Sequence, residues 1–156
     1  MQIDADDDAI HATSILQIDD GYITASGSEG LEGTRIQING GTLDISSWDD
    51  GINASDRSSS YDMGIEINDG DITISMAQGD TDGIDSNGDL TVNGGTINIT
   101  GMSSFDVDGT VEYNGGTIIV NGIQMDDIPV QFGMGGMGDP GGMGESRGSR
   151  NGGGRW

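Results

Sequence analysis

The stretch DGIDSNGDLTVNGGTINIT, residues 82–100, decides the fold. Gly and Asn punctuate it, and apolar residues alternate with polar ones on both sides of the NGGT turn: Leu90 and Val92 before it, Ile97 and Ile99 after it. A period of two marks half-buried strands. The turn string recurs at 39–42 and 114–117, with variants DDGY at 19–22 and NDGD at 68–71. Each is preceded by an apolar-x-apolar pair (Leu16/Ile18, Ile36/Ile38, Ile65/Ile67, Leu90/Val92, Val111/Tyr113). Each is followed by another (Ile23/Ala25, Leu43/Ile45, Ile72/Ile74, Ile97/Ile99, Ile118/Val120). A third short element stands ahead of both, centred on Ile10, Leu31, Ile52, Ile84 and Val107, at spacings of 21, 21, 32 and 23 residues.

Five units of three short strands at repeating offsets call for coiling. A hairpin is the obvious reading of any one NG turn, but a meander has no need to repeat all three strands. Coiling each unit once around an axis stacks like on like, with rungs about 4.8 Å apart. The expectation is an all-β chain, a single-stranded parallel β-helix of about five three-strand rungs over residues 1–132. Residues 53–64 and 76–82 lengthen two corners, and solenoids push such insertions out on one side. Residues 133–156 are rich in Gly and Met and read as a disordered tail. The chain opens in the middle of strand pattern with no leader, so truncation at the N-terminus is expected.

Composition narrows the function. The 156 residues include 30 Gly, no Cys, 27 Asp+Glu and five basic residues, all arginine. Apart from the tail's Asp139 and Glu145 and its three arginines, 25 acids face only Arg35 and Arg57. Such a surface excludes nucleic acid, whose phosphates need cationic side chains. It argues equally against an anionic membrane. No run approaches the ~18 apolar residues of a membrane helix, so membrane insertion is not expected.

The charge is patterned. Two positions before the short-strand centres stand Asp8, Glu29, Asp50 and Asp82, then Phe105; one position after them stand His11, Glu32, Asn53, Asp85 and Asp108. Between the two columns lies a strip of small residues (Ala9, Gly30, Gly51, Gly83). Stacked carboxylates repel by about 1 kcal/mol per neighbouring pair even in water. A divalent cation would offset this, and Ca2+ takes hard oxygen ligands in flexible geometry. With no Cys and one His, a protein-bound zinc site of nitrogen and sulfur ligands is not expected. The densest patch, 79–89, adds Asp80 to the candidate ligands but lacks the Gly and the closing Glu of an EF-hand loop. The plain alternative is a set of solvated acids.

The stretch from Asp82 to Gly122, together with DDGI at 49–52 and the Gly/Met-rich tail, closely resembles a bacterial family of carbohydrate-binding domain-containing proteins. The resemblance covers roughly residues 4–132. It implies a right-handed, polysaccharide-lyase-like parallel β-helix that binds calcium, with cellulose and acidic plant polysaccharides such as polygalacturonate as ligands. It also implies metal ligation by Asp50, Asp82 and Asp85, which match the DGI motif. Asp49, Asp80, Asp8, Glu29, Glu32, Asn53 and Asp108 follow as further candidate ligands.

The leading expectation is a non-catalytic, calcium-dependent polysaccharide-binding module, monomeric, at the cell surface or outside the cell. Trp48 beside Asp49 and Asp50 could stack on a sugar ring, with Tyr61 and Arg57 assisting from the nearby loop. Trp48 as a corner-packing aromatic is the competing reading. A structural repeat of a surface adhesin, stiffened by calcium, is one alternative. A polysaccharide lyase is another, with only Arg35 and Arg57 available as its base.

Overall fold

The computed structural model describes residues 1–131, apart from Asp56 and Asp80; the expected tail at 133–156 lies outside them. The described residues form strands and no helix, so none of them forms a helix long and apolar enough to cross a membrane.

The chain opens with β1 (Gln2–Asp4), then β2 (Ile10–Ile18), β3 (Tyr22–Gly27), β4 (Leu31–Ile38) and β5 (Thr42–Ser47). A turn of three separate strands follows, β6 (Ile52–Ala54), β7 (Gly64–Ile67) and β8 (Asp71–Met76). The next turn is β9 (Asp82–Ser86), β10 (Asp89–Val92) and β11 (Thr96–Thr100). Then come β12 (Ser103–Val107), β13 (Val111–Tyr113) and β14 (Thr117–Val120), closed by β15 (Ile123–Met125) and β16 (Val130–Gln131). Pairing is parallel throughout, except between β14 and β15. The result is a parallel β-solenoid of about six turns, the first and last of them partial.

Three columns of strands surround one core. The first stacks the start of β2, the start of β4, β6, β9, β12 and β16. The second stacks the ends of β2 and β4 with β7, β10 and β13. The third runs from β1 through β3, β5, β8, β11 and β14. Strands β2 and β4 bend through a corner without a break, with a bulge in their pairing between Ala12 and Ile15, and Arg35 lies within β4. The alternating apolar residues point inward as expected. Leu31, Ile52, Ile84 and Phe105 stack in the first column, Ile36, Ile65 and Leu90 in the second, and Ile45, Ile74 and Ile99 in the third, all at most 2% exposed.

The NGG corners work in two ways. Their last glycine has φ between 82° and 122° in every turn (Gly21, Gly41, Gly70, Gly95, Gly116), the left-handed region that a side chain disfavours. Their first residue builds a ladder of amide hydrogen bonds down the solenoid. Asn39 Nδ2 donates to Asp19 Oδ1 (2.7 Å), Asn68 to Asn39 (2.9 Å), Asn93 to Asn68 (2.8 Å) and Asn114 to Asn93 (2.9 Å). Among the described residues, the one hairpin is at Asn121-Gly122, where both residues have positive φ (51° and 79°), as a type I′ turn requires. It folds β15 antiparallel onto β14, and Ile128, nearly fully buried, joins the core beyond it.

Candidate functional site

The outward residues of the first column form two files. Register sets one as His11, Glu32, Asn53, Asp85 and Asp106. The other runs Asp8, Glu29, Asp50, Asp82 and Ser103, tied by backbone bonds from Ala9 N to Glu29 O, Gly30 N to Asp50 O and Gly51 N to Asp82 O.

One sequence expectation changes here. The fifth rung was centred on Val107, but Phe105 stands opposite Ile84 and is fully buried. A large aromatic takes the core position, and this short strand shifts by two while β13 and β14 keep the expected register. Asp106 therefore stands opposite Asp85, and Asp108 falls beyond the end of β12, exposed. The small-residue strip between the files is packed tightly from the inside. A Cβ on Gly30 would stand 2.3 Å from Ile45 Cγ2, one on Gly51 2.5 Å from Ile74 Cγ2, and one on Gly83 2.6 Å from Ile99 Cγ2. These glycines let the third column's isoleucines press onto the backbone, so the D-G-I spelling is first a packing rule.

At the N-terminal end the face is internally compensated. Glu32 is 1% exposed. Its Oε2 meets His11 Nδ1 at 2.5 Å, and its Oε1 accepts from Arg57 Nε at 2.7 Å and Ser55 Oγ at 3.1 Å. A second Arg57 nitrogen bonds the same oxygen. Burial alone would raise the Glu32 carboxyl, but hydrogen bonds from Asp8, Arg57, His11 and Ser55 outweigh it and hold it at about 2. Asp8 moves the other way, raised by burial and by Glu32. Its Oδ2 lies 3.4 Å from His11 Nδ1. Asp8, His11 and Glu32 offer ligand atoms within 4.8 Å of one another. His11, which the sequence placed in the file but not among the ligands, thus belongs to this cluster.

Further along, compensation fails. Asn53 Nδ2 donates to Glu29 Oε1 at 3.0 Å, yet Asn53 Oδ1 and Glu29 Oε2 are both buried without a hydrogen-bond partner. Burial pushes the Glu29 carboxyl up to about 7. Asp85 is likewise raised to about 7, by burial and then by the charges of Asp50, Asp106, Asp82 and Asp108. Asp50 is raised by burial, although its Oδ1 accepts the Asp82 N–H at 3.0 Å. Asp82 accepts from Ser103 Oγ. Among the described residues, the ion pairs of His11, Arg35 and Arg57 all go to Asp8, Glu32 or Glu66, none to this stretch.

The remaining candidates stand around this face. Trp48 and Asp49 are exposed at the corner between β5 and β6, where Asp49 N bonds Ser28 O at 2.9 Å. Arg57 and Tyr61 lie on the loop after β6, at the opposite edge, so the structure does not bring Trp48 and Tyr61 together. That loop is anchored by Arg57 N on Thr34 Oγ1 (3.1 Å) and by the Arg57–Glu32 pair. Asp80 lies outside the described residues. Asp106 and Ser103 were missed by the sequence reading; the 21-residue step from Ile84 to Phe105, equal to the steps from Ile10 to Leu31 and Leu31 to Ile52, was the signal that marks them.

Fold and face together define a parallel β-solenoid that presents stacked, partly buried carboxylates on one sheet. The chain belongs to the family of carbohydrate-binding domain-containing proteins, which matches residues 1–81, from β1 through β8. No curated protein and no solved structure matches it.

Proposed function

We propose that the protein is a non-catalytic module that binds acidic polysaccharide, of the polygalacturonate kind, in a calcium-dependent way. Its carbohydrate-binding role comes with the family. The calcium dependence rests on one observation: a run of half-buried carboxylates at Asp50, Asp85 and Asp106, next to the orphaned acceptors Asn53 Oδ1 and Glu29 Oε2. Buried acceptors without donors and raised carboxyls fit a hard, oxygen-seeking cation. Asp50, Asp82, Asp85 and Asp106 would hold the ion, with Asn53 and Glu29 beside them. When bound, it supplies the positive charge that lets a uronate chain approach so negative a face.

The residues themselves do the orienting. Ser103 and the Asp82 N–H fix the carboxylates they bond, and Trp48 at the adjoining corner offers an exposed ring. Both arginines of the described residues are engaged, Arg35 with Glu66 and Arg57 with Glu32. Glu32 raises the Arg57 guanidinium further still, which suits it poorly as a proton-abstracting base. That supports binding without catalysis. The module acts as a monomer outside the cell or at its surface, where such glycans occur. Sedimentation with calcium-crosslinked pectate, cellulose and chitin, with calcium and with EDTA, is the test. Retention on pectate that EDTA removes is expected. Folded protein that does not sediment with pectate, or that binds pectate equally with EDTA, overturns the calcium reading.

A further inference from the structure

The second column carries a notch that the acidic face does not use. Its floor is Ile65, and its walls are Arg35, Asp89, Thr91, Thr110 and Glu112, around a volume of about 320 Å³. Register explains it. Arg35, Gly64 and Asp89 are successive residues of one outward file, so Gly64 leaves a gap with no side chain between a guanidinium and a carboxylate. Two strand spacings, about 9.5 Å, separate the strands bearing those two groups.

Both ends are held in place. Arg35 Nη2 bonds Glu66 Oε2 at 2.7 Å, and Glu66 Oε1 accepts from Asn68 Nδ2 at 3.1 Å, so the arginine is tied to the asparagine ladder. Asp89 Oδ1 accepts the Thr110 N–H at 2.7 Å. A donor fork, two threonines and two further carboxylates therefore converge on a small concave space, the makeup of a site that orients a ligand by hydrogen bonds. Charge selects what enters. Against the single Arg35 stand Glu66, Asp89 and Glu112, so the notch is net negative and disfavours phosphates, sulfates and uronates alike. Hydroxyl groups are the complementary chemistry, because they donate to carboxylates and accept from the guanidinium.

We infer that this notch is a subsite for one neutral hexopyranose unit of a polysaccharide, read through its vicinal hydroxyls without calcium. The inference rests on the carbohydrate-binding role of the chain and is independent of any metal. It gives the solenoid two glycan-facing surfaces, a metal-dependent acidic sheet and a metal-free polar one. With no aromatic residue among the notch's lining residues, binding here is carried by hydrogen bonds, and each is sensitive to deletion.

Amide chemical shifts of the full chain, titrated in EDTA with cellotetraose and separately with tetragalacturonate, test this. Saturable shifts with cellotetraose at Thr91, Thr110 and Glu112, and none there with tetragalacturonate, are expected. Arg35→Met and Asp89→Asn should each weaken cellotetraose binding about tenfold. Thr91→Phe, which fills the notch while removing no charge, should abolish it in a protein whose spectrum stays folded. Absence of cellotetraose shifts, shifts confined to the Trp48 corner, or an equal response to tetragalacturonate would overturn the inference. A tetragalacturonate titration in calcium, read at the Asp82–Asp85 amides, reports on the acidic face by itself, so either surface can fail without the other.

Discussion

Glu32 and Asp85 occupy the same outward file of the same sheet, two rungs apart, and their surroundings are opposite. Around Glu32 the chain supplies Arg57, His11 and Ser55, and the carboxyl is held at about 2. Around Asp85 it supplies Asp50, Asp82, Asp106 and Asp108, and the carboxyl is pushed up to about 7. The backbone is the same repeat in both places, so the difference comes from what the corners bring. The loop at 55–63 delivers Arg57 to one end of the face and to no other. One end of the sheet is a finished structural cluster, and the other asks for a proton or a cation. Buried charge that the protein neutralises itself holds the fold; buried charge left over marks where something from outside is needed.

The largest expected effect breaks the finished end. Glu32→Ala removes the group on which Arg57, His11 and Ser55 converge, and should cost about 3 kcal/mol in denaturant unfolding. Asp85→Asn at the other end should do the reverse. It removes a repelled charge while keeping the shape, and should stabilise the metal-free protein at pH 8 by about 1 kcal/mol, a modest figure because the site is partly open to solvent. If both changes destabilised equally, the contrast between the two ends would be gone.

The pH dependence of the metal-free protein sharpens the same contrast at intermediate size. Glu29 and Asp85 hold their protons to about 7 when folded, whereas the unfolded chain releases them near pH 4. Between those values the folded state binds more protons, so stability falls as pH rises and is level above about 7. Glu32 lies the other way: its contribution is complete above the ordinary carboxylate range and is lost as pH falls toward 2. The melting temperature in EDTA should therefore peak near pH 4–5 and decline by pH 8, by an amount equivalent to about 1–2 kcal/mol after solvent screening. Calcium should restore stability at pH 8 and add little at pH 5; a flat profile with EDTA would mean the acidic stretch is simply solvated.

The fold was legible because the solenoid's core is written in the alternation: the pairs flanking each NGG corner occupy the inward positions the period assigns them. The corners were legible as turns, but the asparagine ladder was not, since a run of Asn at turn positions has the same spelling whether or not the side chains bond one another. The site was legible only in part. Its two acidic files follow from the repeat, yet the last short strand is set two residues out because Val107 fits the apolar slot as well as Phe105; the 21-residue step favours Phe105, and its packing volume fills the core position. The packing role of the D-G-I glycines was not legible either: a missing side chain leaves the same mark in sequence whether it opens a surface or admits a neighbour. Nothing local could show that Arg57 reaches back 25 residues to Glu32, because that contact is made by stacking.

Arg57 gives the smallest effect and the one that separates its two readings. It was expected to assist a sugar from the loop; the structure spends its guanidinium on Glu32. The side chain is half exposed, and Glu32 keeps His11 and Ser55 when it is gone. Arg57→Ala should therefore cost only about 1 kcal/mol, and Arg57→Lys less, because a lysine keeps the charge but not the fork. The Glu32 carboxyl should rise in both variants, most in the alanine, which shifts the acid limb of the stability profile upward in pH. Retention on pectate in calcium should be unchanged if Arg57 serves the fold alone. A loss of retention with the acid limb unmoved would instead give the arginine to the glycan, and would mean that the compensated end of the sheet also faces the ligand.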